Sequence, residues 1–338
     1  MRNSSDSSAA PVDAPPSSAA GPSATSAPPS AASAASAVRR RAAPLGLVLA
    51  LVSAVAFGGS GTAAKPLIEA GLSPAHTVWL RVAGAALVLL PVAWRHRDAV
   101  RRRPGLLLGF GLLAVAGVQA CYFAAISRIP VGVALLIEYL GPPLLIAYVR
   151  LVQRRPVSRR AMIGAGVAVT GLACVVEVWN GLSFDALGVL FALGAACCQV
   201  GYFVLADAGR RGDRPVDPLA VSAYGLLIGA VLLTATTRPW TADWSLLAHS
   251  VTMNGHRLPA LLPALWMVLI ATVLAYLTGV VAVQHLSPPV AGVVANLEAV
   301  VATLLAWILL GEHLGTPQLT GGALVLAGAF AAQSTSRD

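Results

Sequence analysis

Continuous apolar runs near 20 residues long, separated by short polar connections, fill residues 44–333 of this 338-residue chain. A run of about 20 apolar residues is what an α-helix needs to cross the hydrocarbon core of a bilayer, whereas a barrel strand needs about 10 with alternating polarity. Helices also satisfy every backbone N–H and C=O within one lipid-exposed segment. Hydrophobic residues make up 57% and charged residues 11%, against roughly a quarter charged in a soluble domain. The sequence therefore predicts an all-α integral membrane protein.

Ten transmembrane helices are predicted, near 44–64, 74–94, 104–126, 130–149, 161–178, 185–206, 217–236, 260–283, 288–310 and 316–333. The net charge of +9 does not point to nucleic acid, because the arginines cluster in the short loops. With the N-terminus inside, 18 Lys/Arg fall on the cytoplasmic side, including Arg39–Arg41, Arg101–Arg103, Arg154, Arg155, Arg159 and Arg160. Only Lys65, Arg128, Arg238 and Arg257 fall outside, so the positive-inside rule places both termini in the cytoplasm, with the chain in the cell membrane. Residues 1–43 read as a disordered Ser/Ala/Pro-rich cytoplasmic tail with a basic flank, too poor in apolar bulk to fold. A secretory signal is not expected, since Arg39-Arg40-Arg41 follows this tail and leads into a full-length span. Cys121, Cys174, Cys197 and Cys198 lie in apolar runs, with neither disulfide nor zinc spacing, and read as small packing residues.

Two stretches of the chain resemble each other. Leu45-Gly46, Leu51, Ala54 and Gly59 recur 142 residues later as Leu187-Gly188, Leu193, Ala196 and Gly201. Val133-Ala134, Leu140, Gly164 and Gly171 recur 157 residues later as Val290-Ala291, Leu297, Gly321 and Gly328. The predicted repeats are 44–178 and 185–333, each of five helices. An odd number of spans inverts the second copy in the membrane, an arrangement typical of transporters with a solute site near the midplane.

Polar groups at membrane depth mark candidate site residues, because each must face a cavity or a partner. Arg81, about two turns into the second span, either snorkels to the outer interface or turns a guanidinium into the cavity to hold a carboxylate. Glu138 on the fourth span either binds and releases a proton or pairs statically with Arg81. Gly141-Pro142-Pro143 follow at once, and the prolines deprive the carbonyls of Glu138 and Tyr139 of their helical N–H partners. Gln119 and Tyr122 share a face of the third span, and Gln199 and Tyr202 repeat that spacing on the sixth. Both pairs line a cavity or bond between helices. Asn296 and Glu298 on the ninth span point to nearly opposite sides, so at most one faces the cavity squarely. Gly105, Gly109, Gly225 and Gly229 read as close helix-packing positions. Gly58-Gly59-Ser60-Gly61 has the form of an intramembrane serine-protease motif, but His76 and His285 sit at span ends, so the protease is only a remote alternative. The connection 237–259, with Trp240, Trp244 and His249, reads as a bridge or a short interfacial segment.

The segment Arg128-Ile129-Pro130-Val131-Gly132-Val133-Ala134 with Ile137-Glu138-Tyr139-Leu140-Gly141-Pro142 resembles the fourth span of EamA-type members of the drug/metabolite transporter superfamily. Leu297-Glu298, Leu310-Gly311-Glu312, Gln318 and Gly321 resemble the second-half pattern of that family, although Ala299 replaces its usual Pro. The first half shows Gln153-Arg154-Arg155 where a Leu-Gly-Glu signature would stand. The similarity is nearest to threonine/homoserine-type exporters. It implies ten helices in two inverted five-helix repeats and export of a small polar metabolite without ATP or cofactor. The resemblance implies a drive by the proton gradient or by the solute's own gradient. The expected partners are a small-molecule solute and the lipid bilayer, and the sequence leaves open whether protons and a second copy in a homodimer join them. Import of a small metabolite or sugar-like solute remains the alternative.

Overall fold

The computed structural model describes residues 31–177, 179, 184–210, 216–286 and 288–334, with side chains for all of these except 31–43, 206–210, 283–284, 288–295 and 332–334. The chain divides into two compact units, Met1–Arg41 and Ala42–Asp338.

Helical runs cover every predicted span among the described residues. They are α1 (Ala31–Glu69), α2 (Pro74–Val88, then Leu90–Arg95), α3 (Pro104–Gly109, Phe110–Gly117, Val118–Ile126), α4 (Val131–Glu138, Gly141–Leu151) and α5 (Arg159–Val175). The second half gives α6 (Ala186–Arg210), α7 (Pro218–Thr237), α8 (Leu261–Leu265, Trp266–Leu274, Ala275–His285), α9 (Pro288–Leu305, Ala306–Leu310) and α10 (Thr316–Ser334). Helix begins at Ala31, so residues 31–43, expected to be disordered tail, are helical. Their Ala-rich, Pro-free composition ahead of Pro44 favours that state. Residues 1–30 lie outside the described residues.

Among the described residues, six runs are long and apolar enough to cross a membrane: Pro44–Glu69, Pro104–Ile126, Val131–Leu151, Ala186–Leu205, Pro218–Thr237 and Leu261–Ala282. Asn296–Leu310 is a shorter apolar helix. α2 is interrupted at Leu89 because Pro91 has no N–H for the preceding turn, and α5 spans 17 residues. The protein is therefore a multi-pass helical membrane protein.

Glycines set the helix contacts. The most extensive contact is between α5 and α10, which run antiparallel. A Cβ on Gly171 would stand 2.6 Å from the Gly321 carbonyl oxygen, and one on Gly328 would stand 2.5 Å from that of Gly164, so the two backbones touch. Contacts between the halves exchange under the repeat offsets. Gly46 abuts His285 and Leu286, while Gly188, 142 residues on from Gly46, abuts Arg128 and Ile129, which lie 157 before those partners. The π-helical segments Phe110–Gly117 and Trp266–Leu274 also end 157 residues apart. Gly109, Gly225 and Gly229 receive Leu205, Phe110 and Val115 as expected, but nothing lies within 4 Å of a Cβ on Gly105, which corrects that position.

The long connection is more ordered than a bridge. Two 3₁₀ turns lead into a hairpin of β1 (Ser250–Met253) and β2 (His256–Pro259), with Val251 opposite Leu258. Its turn is Asn254-Gly255, at φ 47° and 79°, the left-handed pair that a tight hairpin with right-handed strand twist requires. Asn-Gly was the legible signal for it. Trp244 packs on Trp79 at 5.5 Å between ring centroids, whereas Trp240 is exposed.

Candidate functional site

α2 begins at Pro74 behind Ser73, whose hydroxyl accepts from the His76 N–H. Two turns on, Arg81 is only 3% exposed, so it turns into the protein and does not snorkel. Its Nε donates to Thr272 Oγ1 at 2.8 Å, Nη1 to Gln119 Oε1 at 2.8 Å and to Ser60 Oγ, and Nη2 to the Ala271 carbonyl at 3.1 Å. The Phe123 ring centroid lies 5.6 Å from Cζ. The acceptors come from α1, α3 and α8, so one guanidinium holds α2 against three other helices. The π-helical register of Trp266–Leu274, in which Thr272 Oγ1 bonds back to the Met267 carbonyl at 2.8 Å, presents Thr272 and Ala271 together to Arg81.

Glu138 ends the first segment of α4 and is buried. The helix pauses at Tyr139-Leu140 and resumes at Gly141, with Pro142 and Pro143 in its first turn, where a missing N–H is tolerated. Gln199 of α6 lies against this break, and a Cβ on Gly141 would collide with its Oε1. From α9, Glu298 accepts a hydrogen bond from the Tyr139 hydroxyl. Arg81 feels the charges of both Glu138 and Glu298, and the two carboxylates feel each other. One positive group from α2 therefore lies in the electrostatic field of two acidic groups, one from each half of the chain, while its hydrogen bonds go to neutral acceptors.

Aromatic rings close the surroundings. The Tyr122 hydroxyl packs against Gly61 of α1, where a Cβ would clash with it. Tyr276 stacks edge-on to Phe57 at 5.1 Å and, like Tyr122, lies within electrostatic reach of Arg81. Tyr202 packs edge-on to Phe110 at 5.4 Å and against Phe203 at 5.2 Å. Asn296 Oδ1 is buried with no hydrogen-bond partner among the described residues. The structure thus gathers Arg81, Gln119, Tyr122, Glu138, Tyr139 and Glu298, sets Gln199 at the helix break, and packs Tyr202 on Phe110.

The sequence reading did not include Thr272, Ala271, Phe123 or Tyr276, and it weighed Ser60 only as a nucleophile. Ser60 instead accepts from Arg81. His76 bonds Ser73 Oγ at 2.8 Å and the Thr237 carbonyl at 3.0 Å, and His285 bonds the Val281 carbonyl at 2.8 Å. Neither imidazole serves Ser60 as a base, which overturns the protease alternative. A polar residue in an apolar run, as at Thr272, was the available signal. Cys121 and Cys198 are hydrogen-bonded across α3 and α6, each seated on a glycine of the other helix, Gly194 and Gly117. Among the described residues no cluster of three or more His, Cys, Asp or Glu could hold a metal.

Comparison with known proteins places this architecture. The model of the EamA-like transporter family matches twice, at residues 44–177 and 186–332. The threonine/homoserine exporter RhtA of Escherichia coli K12 is 27% identical over 309 residues, covering 89% of this chain and 95% of its own length. The uncharacterized transporter YwfM of Bacillus subtilis 168 is 26% identical over 297 residues, covering 85% and 93%. A protein crystal structure at 19% sequence identity matches with a TM-score of 0.56 over 87% of this chain and 98% of its own, a likeness of fold alone. With two copies of the family domain on a multi-pass helical frame, the chain belongs to the EamA-like transporter family and is a membrane transporter, not an enzyme.

Proposed function

We propose that the protein is a secondary exporter of a small polar metabolite of the amino-acid class, working by alternating access without ATP. Two inverted five-helix repeats, 44–178 and 185–333, rock about the α5–α10 crossing, with both termini cytoplasmic. The reciprocal contacts Gly164–Gly328 and Gly171–Gly321 support this arrangement, since equivalent helices cross antiparallel there. The similarity to RhtA, a threonine/homoserine exporter, supports the amino-acid class.

The observation that carries the reading is a charge count. Arg81 shares its buried surroundings with Glu138 and Glu298 and interacts with them electrostatically at longer range than an ion pair, so with both acids ionised the cluster lacks one positive charge. A proton or a solute ammonium supplies it, and burial makes leaving it unfilled costly. Glu138 carries the proton or meets the ammonium. The solute carboxylate reaches Arg81 by displacing the neutral acceptors Gln119 and Ser60, with Tyr122 and Tyr202 as walls. The carbonyls at the α4 break, Tyr139, Gln199 and Asn296 supply the remaining polar contacts.

The test is efflux of radiolabelled homoserine and threonine from proteoliposomes under an imposed pH gradient. Glu138→Gln should abolish proton-driven efflux while expression stays intact, and unchanged proton dependence removes Glu138 from the mechanism. Labelling from each side of the membrane should find residues 150–160 and 207–216 on one face. Opposite faces would end the inverted-repeat reading.

A further inference from the structure

Away from the charged cluster, Glu312 joins three helices. It follows α9 at Gly311, whose φ of 70° turns the chain, and its own N–H bonds back to the Ala306 carbonyl at 3.2 Å. Oε1 meets Lys65 Nζ at 2.5 Å near the end of α1, and Oε2 accepts the Val131 N–H at 2.9 Å at the first residue of α4. Both side chains are largely shielded, at 18% and 11% exposure, so the pair is weakly screened. The carboxylate also sits where the α4 helix dipole is positive. The hairpin braces the same turn: Asn254 Nδ2 donates to the Ile308 carbonyl at 3.0 Å. One carboxylate of the second half thus ties together the ends of the helices bearing Ser60, Glu138 and Glu298.

Its counterpart by the repeat offset is reversed in sign. Position 155 is Arg, 157 before Glu312, and position 207 is Asp, 142 after Lys65. The backbone repeats as well: Arg154 has φ 54° where Gly311 has 70°, and the Arg155 N–H bonds the Val149 carbonyl at 3.2 Å, 157 before Ala306. Arg155 is exposed in this structure.

We propose that the Lys65–Glu312–Val131 contact is a latch closing this face of the transporter, and that it opens once per cycle. This rests on the alternating-access reading above. Helix ends held by a shared carboxylate cannot part without breaking it.

The experiment uses full-length protein with its four native cysteines replaced, spin-labelled at Ser127→Cys and Thr316→Cys, exposed sites on either half beside the latch. Glu312→Ala removes both contacts and should shift the label distances to longer values. Lys65→Met, which leaves the Val131 contact, should shift them less, and Arg155→Gln should not lengthen them. In a second variant, Lys65→Cys with Glu312→Cys, a short bis-methanethiosulfonate bridge should stop homoserine flux and reductant should restore it. Undiminished flux with the bridge in place, or unchanged distances in Glu312→Ala, overturns the latch. Should the unbridged protein carry neither homoserine nor threonine, the solute assignment fails, and the distance arm still decides the latch.

Discussion

Two crossings in this molecule share a backbone and differ in chemistry. α2 and α7 start at Pro74 and Pro218, so Arg81 and Gly225 occupy the same place, 144 residues apart. Arg81 meets Thr272 of one π-helical segment; Gly225 meets Phe110 and Val115 of the other, and Val115 is the counterpart of Thr272 by the 157 offset. On one side a guanidinium takes four hydrogen bonds. On the other a ring lies where a Cβ would be, and the crossing is apolar packing. The duplicated frame therefore positions a site without dictating what fills it, and transport chemistry can occupy one side while the other only holds helices together.

Substitutions can break or sharpen that contrast. Arg81→Leu should abolish solute flux and lower stability by about 3–5 kcal/mol, because it leaves two buried carboxylates uncompensated. Proteoliposome flux and thermal melting in detergent measure both. Gly225→Ala, which pushes on Phe110, should lower the melting temperature yet leave a measurable flux; equal loss of flux in both, with folding retained, would erase the distinction. Thr272→Val makes the polar side resemble its counterpart and should cost about 1.5–3 kcal/mol, the range for a hydrogen bond to a charged group. The reverse change, Val115→Thr, meets no guanidinium and should bring no gain in melting temperature.

The α5–α10 crossing should respond symmetrically where the charged site does not. Gly171→Ala and Gly321→Ala each force a Cβ into the opposing backbone and should cost about 1–3 kcal/mol, by similar amounts. Strongly unequal melting shifts would argue against a two-fold crossing. The smallest effect belongs to Gly166→Ala on the same helix. No atom lies within 4 Å of its added Cβ, so the change should stay within about 0.5 kcal/mol.

Much of this is legible in the sequence. Apolar run lengths foretold the helices, Pro142 and Pro143 foretold the interruption of α4, and depth singled out Arg81 and Glu138. The unread parts have physical causes. Arg81's acceptors Ser60, Thr272 and the Ala271 carbonyl are small or backbone groups that carry no periodic signal, and they converge from helices distant in sequence. Glu312 stands in a short connection, where a charge ordinarily means solvent, and only packing reveals that it faces Lys65 and the start of α4.

The sequence alone determined that this chain is a helical membrane protein built from a duplicated unit, because the cost of placing polar groups in hydrocarbon constrains composition residue by residue. The tertiary structure decided which of the buried polar groups meet. Helix rotation, π-helical register and the close approaches that glycines allow set those meetings, which no single segment encodes.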